Sequence, residues 1–96
     1  MDRDAFEAEL LREGYEVRET RYPPNEHRPP HTHDFDARLL ILDGALMLVR
    51  DGEASSFGPG ESCDVPAGTV HQEITDARGA HALSGRRTAM QVQAAE

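Results

Sequence analysis

Tryptophan is absent from this chain of 96 residues, cysteine occurs once, and only two tyrosines and three phenylalanines are present. Apolar residues make up 38%, and no run approaches the ~18–20 consecutive apolar residues that a membrane-spanning helix needs. Basic residues are scarce: ten stand against 18 acidic ones, a formal charge of −8. A surplus of that sign repels phosphate, and the one basic cluster, Arg86-Arg87, is too short to offset it, so nucleic acid is excluded as a partner. The single Cys63 cannot close an internal disulfide, which points to a reducing, cytoplasmic location. Met1-Asp2-Arg3-Asp4 is acidic and has no apolar run, so it does not read as a signal peptide. The length suits one domain. Such a chain buries about 60–65% of the surface its unfolded form exposes. A thick-cored helical bundle is therefore disfavoured, and a small barrel, or a protomer sharing apolar surface with a partner, fits better.

What is present is ordered along the chain. Residues 4–13 form a helical pattern with Phe6 and Leu10 on one stripe, Asp4 as the expected cap with Glu7 three residues on, and Gly14 as the stop. Tyr15 to Tyr22 alternates like a half-exposed strand. Four prolines between Pro23 and Pro30 then forbid regular pairing and predict a stiff connector leading to His31-Thr32-His33. Two apolar runs, 37–43 and 45–50, flank Asp43-Gly44, the signature of a two-residue hairpin, with a turn centred on Gly44 and shifted by one residue as the alternative. In that register Leu39, Ile41, Leu46 and Leu48 share one face, and Leu40, Leu42, Met47 and Val49 the other. The first face suits a barrel interior; the second needs the helix, another sheet or another subunit. Asp51-Gly52 repeats the turn chemistry, and strands are expected at 53–57, 62–65, 70–75 and 81–84. Beyond Gly85 the packing pattern lapses. The expected organisation is a helix at 1–14, a barrel at 15–86 and a flexible tail at 87–96.

Five histidines stand out against this thin core. His31 and His33, two apart on an extended segment, project to one side, so two imidazoles can reach one metal ion. Positions 31, 33, 37, 39 and 41 share parity, which puts the pair at the rim of the proposed interior. There, low dielectric favours the neutral imidazole. Gly60, Pro66 and Gly68 set tight turns that deliver His71 at the start of a strand. A third imidazole from there completes a facial set with open positions. His27, among prolines, reads as solvent-exposed, and His81 as a satisfied or exposed histidine. Cys63 reads as a small buried residue with no mark of a nucleophile. Asp36 and Arg38 read as surface charges or as groups orienting the histidines, and Arg50 as a rim partner of Glu53.

These residues resemble the two motifs of the small single-domain cupins, G-x5-H-x-H-x3,4-E-x6-G and G-x5-P-x-G-x2-H-x3-N. His31, His33 and Gly44 match the first motif; Gly60, Pro66, Gly68 and His71 match the second. The resemblance covers about Tyr15 to Arg86 and implies an all-β, cupin-type barrel (a double-stranded β-helix or jelly roll) with a short N-terminal helix. It also implies His31, His33 and His71 as metal ligands. Three positions depart from the pattern: Ala37 replaces the motif glutamate, Thr75 the terminal asparagine and Asn25 the leading glycine.

Three readings of the gap at Ala37 stay open. Three histidines suffice to hold the metal, as in thiol dioxygenases and some diketone-cleaving dioxygenases that share this barrel. Alternatively, Glu73, which has the parity of His71, or Asp36, which has the wrong parity, replaces the carboxylate. Lastly, the site is degenerate and binds metal weakly. The function expected from the resemblance is binding of a divalent transition metal (Fe, Ni, Zn or Mn), with an Fe(II)-type dioxygenase acting on a small organic substrate as the leading version. The alternative is a non-catalytic sensor or binding cupin. A homodimer is expected, because one short helix cannot cover Leu40, Leu42, Met47 and Val49.

Overall fold

The computed structural model describes residues 1–88 and contains one helix followed by eight strands. The elements are α1 (Arg3–Arg12), β1 (Glu16–Tyr22), β2 (His27–His31), β3 (Phe35–Gly44), β4 (Leu46–Arg50), β5 (Glu53–Phe57), β6 (Ser62–Val65), β7 (His71–Ile74) and β8 (Ala80–Thr88). Two four-stranded antiparallel sheets, β1-β8-β3-β6 and β2-β7-β4-β5, face each other. Their inner faces enclose Tyr22, Leu39, Ile41, Leu46, Leu48, Cys63, Val65, Ala80 and Ala82. The alternation expected of Leu39, Ile41, Leu46 and Leu48 thus does place them inside, where each buried side chain contributes about 1.5–3 kcal/mol.

The hairpin expected at Asp43-Gly44 is not formed. β3 pairs with β6 and β8, and β4 with β5 and β7, so the chain crosses between sheets at this dipeptide. Gly44 (φ +76°) makes the crossing so close to β8 that a Cβ there would collide with the Gly79 carbonyl. Asp51-Gly52 does form the expected hairpin turn, with both residues at positive φ and Arg50 opposite Glu53.

The proline-rich segment also differs from expectation. His27–His31 pairs with β7, with a register shift between Arg28 and His31. Pro29 and Pro30 cannot donate, and β2 is an edge strand, where a missing donor is tolerated. Asn25 adopts φ +55°, as a residue standing in for glycine should. Thr75 ties the connector down: its hydroxyl accepts from the Glu26 amide at 2.9 Å and donates to the Pro23 carbonyl at 2.6 Å.

Helix α1 starts one residue earlier than expected, and its cap lies two residues earlier. Asp2, not Asp4, is the cap, accepting from the Ala5 amide at 2.8 Å. Its end follows the glycine rule: Gly14 is at φ +82°, and the Tyr15 amide donates back to the Leu10 carbonyl at 2.9 Å. Phe6 and Leu10 lie on the outer face of the first sheet, against Tyr15, Leu40 and Leu83, with Val17 and Leu42 at the margin. β8 runs through Gly85 to Thr88, two residues into the segment read as a tail; positions 89–96 lie outside the described residues. No described helix is long and apolar enough to cross a membrane.

Candidate metal centre

Two strands and a link deliver the histidines. The edge strand β2 ends on His31, directly opposite His71, the first residue of β7. His33 lies in the link from β2 to β3, and its carbonyl accepts from the Gly68 amide at 2.9 Å. The Pro66–Gly68 turn, which the sequence marks as the lead-in to His71, therefore also fixes His33. The three imidazole centroids are 4.3, 4.8 and 5.2 Å apart. Glu73, on the same face of β7 as His71, completes a group whose ligand atoms all lie within 4.8 Å of one another.

The hydrogen bonds determine which ring nitrogens face inward. His31 Nδ1 lies 2.7 Å from the Pro29 carbonyl and His71 Nδ1 2.9 Å from the Thr69 carbonyl. A carbonyl only accepts, so both Nδ1 atoms carry the proton. The Nε2 atoms are the ones left facing inward, and both lie against Glu73 Oε1, at 3.1 and 3.5 Å, where each can hold either a proton or a metal ion. Two imidazole nitrogens and a carboxylate oxygen thus converge in a largely buried place (His71 is 3% exposed and Glu73 6%), where a positive charge offsets the carboxylate. A divalent ion coordinated by imidazole and carboxylate can supply that charge.

The surroundings favour the ligand state of each group. Burial, and then repulsion from His31 and His71 whenever these are protonated, hold His33 below the usual imidazole value, which favours its neutral, ligating form. Its ring stacks on Phe35 at 4.6 Å. Burial pushes the Tyr22 phenol well above its usual value, and the Glu73 carboxylate beside it adds to the shift, so Tyr22 stays protonated and able to donate to Glu73. Next to the cluster is a cavity of about 70 Å³ with Phe35, Ala37, Leu39, Leu48 and Val65 as its apolar wall. A water needs roughly 10–15 Å³ by this measure, so several waters or one small organic molecule fit.

The other singled-out residues lie elsewhere. Asp36 accepts from the Ala67 amide at 2.9 Å and sits near Arg87, outside the cluster. Arg38 bridges Glu9, Glu13 and Asp64. Arg50 donates to the Asp64 carbonyl at 2.7 Å rather than pairing with Glu53. His27 is exposed and meets Gln72, while His81 meets Glu19. Cys63 is buried, and burial pushes its thiol up to about 12, so it is no nucleophile. Arg28 and Arg86, which sequence reasoning did not place at the site, both line the cavity.

Comparison with known proteins agrees with this geometry. The Cupin_2 family profile (Cupin domain) matches residues 18–84. No curated protein sequence matches the chain. Among solved structures, a protein of unknown function from Rhizobium leguminosarum bv. viciae 3841 is 26% identical, with a TM-score of 0.71 over 77% of this chain and 70% of that one. A Cupin 2 conserved barrel domain protein from Salinispora arenicola CNS-205 is 20% identical, with a TM-score of 0.72 over 85% of this chain and 70% of that one. The DMSP lyase DddQ from Ruegeria pomeroyi DSS-3 is 24% identical, with a TM-score of 0.70; the match covers 81% of this chain but 40% of that one. The motif histidines, the two facing sheets and the family match over most of the length agree: the chain belongs to the Cupin_2 family.

Proposed function

We propose that this cupin binds one divalent transition-metal ion (Fe, Ni, Zn or Mn) through His31, His33 and His71, with Glu73 supplying the carboxylate absent at position 37. The observation that carries this reading is the convergence of the His31 and His71 Nε2 atoms on Glu73 Oε1 within a cluster of four ligand-bearing residues. The bound metal would act as a Lewis acid or a redox centre towards a small molecule. The chain's own residues would do the rest. The carbonyls of Pro29 and Thr69 orient two imidazoles, Tyr22 donates to Glu73, and Phe35, Leu39, Leu48 and Val65 keep bulk water from the cavity.

Within this reading, the leading activity is that of an Fe(II)-type dioxygenase on a small organic substrate. The second reading is a non-catalytic sensor, favoured by Glu73 itself: a fourth protein donor leaves fewer positions open for chemistry. Oxygen uptake by the Fe(II)-loaded protein, over a panel of small organic acids and their hydroxy, keto and thiol derivatives, separates the two. Uptake that depends on one compound and is lost in His71→Ala supports the enzyme. Stoichiometric metal without uptake supports the sensor. A cytoplasmic site of action and a homodimer belong to the same proposal; the single buried Cys63 fits the first.

A further inference from the structure

The cavity is lined by an arginine that meets no carboxylate among the described residues. All ten basic residues of the chain are arginines. Arg3, Arg18, Arg28, Arg38, Arg78 and Arg87 each meet a carboxylate. Of the two that line the cavity, Arg28 pairs with Glu26 and lies over the Tyr22 ring. Arg86 is half-buried and has no carboxylate partner among the described residues; its guanidinium lies 4.7 Å above the Phe35 ring. Arg86 therefore offers its guanidinium to the cavity with no carboxylate of the described residues competing for it.

The cause lies directly across the sheet. Arg86 on β8 is the cross-strand partner of Ala37 on β3, and Ala37 is where the family motif has its glutamate. A glutamate there would sit beside Arg86 and neutralise it. Alanine removes that carboxylate and leaves its space to the cavity, while Glu73 brings a carboxylate to the histidines from β7. Phe35 lies between the two halves, with His33 stacked on its ring and Arg86 above it.

We propose that Ala37 and Arg86 form an anion subsite beside the histidine cluster, and that the ligand is a small organic carboxylate. The apolar wall favours a carboxylate with a short hydrocarbon body over inorganic phosphate. A planar guanidinium takes a carboxylate bidentately. This rests on the metal reading for the role of the subsite, but not for the binding of the anion itself.

The test is a 1H–15N NMR titration of the purified chain with propionate, with neutral propionamide and inorganic phosphate as comparisons. It is run with and without one equivalent of Zn(II), on wild type, Arg86→Gln and Ala37→Glu. Propionate is expected to shift the Arg86 Nε–H and the amides of residues 36–38 and 85–87 saturably in both metal states. Arg86→Gln and Ala37→Glu should each bind it at least tenfold more weakly while still taking up zinc. The two variants alter opposite sides of the pair, so if one fails to fold the other still decides. Equal propionate affinity in wild type and a folded variant would overturn the proposal, as would tighter binding of propionamide or phosphate. Absent zinc uptake with propionate binding intact would sink the metal reading and leave the subsite standing.

Discussion

At the scale of single residues, parity on extended strands decides what reaches the site. His31 and His33 sit on one face because they are two apart, and Glu73 joins His71 for the same reason, whereas Asp36 has the wrong parity and caps the Pro66–Gly68 turn instead. All four members of the cluster could thus be found in the sequence by residue type and spacing. What spacing could not show was that two carbonyls, from Pro29 and Thr69, would orient two of the rings. Arg86 was missed because it follows Gly85, where the packing pattern appeared to stop. The burial of His33 gives a test at this scale. Its folded-state value lies below the unfolded one near 6.5, so the unfolded chain takes up more protons in that window. The metal-free protein should therefore be steadiest above about pH 7 and lose stability as pH falls through the unfolded value towards the folded one. Urea melts at a series of pH values should show a shallower acid slope in His33→Gln than in wild type. Identical slopes would show that His33 is not held neutral by the fold.

At the scale of elements, the two Asp-Gly dipeptides show where sequence patterns lose their meaning. Both flank apolar or alternating runs, and each reads as a hairpin turn. Asp51-Gly52 is one; Asp43-Gly44 is a crossing between sheets. Nothing local separates them. The difference is tertiary, because β3 pairs with β6 and with β8, a strand from the far end of the chain, while β4 lies in the other sheet. Another long-range pairing, of β2 with β7, draws the proline-rich segment into an edge strand. The two glycines should respond differently to substitution. Gly52→Ala meets no neighbour within 4 Å and should cost only the left-handed backbone term, about 1–2 kcal/mol. Gly44→Ala has the same backbone term and also drives a methyl into the Gly79 carbonyl, so it should cost clearly more, with loss of the folded state as the extreme. Denaturant midpoints of the two variants measure this directly, and equal losses would contradict the crossing at Gly44.

At the scale of the whole molecule, the shortage of aromatics and apolar residues corresponds to a barrel whose interior is partly cavity and whose one helix covers only the first sheet. Fold class was legible because strand periodicity, turn chemistry and two spaced motifs all pointed the same way. The pairing of strands distant in sequence was not. Helix α1 covers Leu40, and Leu42 at its margin, while Met47 and Val49 lie half-buried on the outside of the second sheet, away from it. If that face joins two copies, wild type should sediment as a dimer, and a Met47→Glu/Val49→Glu variant as a monomer with an unchanged fold. A monomeric wild type would remove the dimer from the account.

The central claim is that the cluster of His31, His33, His71 and Glu73 is a metal site, and metal stoichiometry tests it most directly. The untagged protein is equilibrated with Zn(II), freed of excess by gel filtration and analysed by mass spectrometry of the metal. Wild type and His27→Ala, whose histidine lies outside the cluster, should carry one zinc per chain. His71→Ala should carry less than about a tenth of that, and wild type itself should lose its metal on acidification towards about pH 5, as protons compete for the imidazoles. Equal zinc in wild type and His71→Ala, or none in either, would contradict the account.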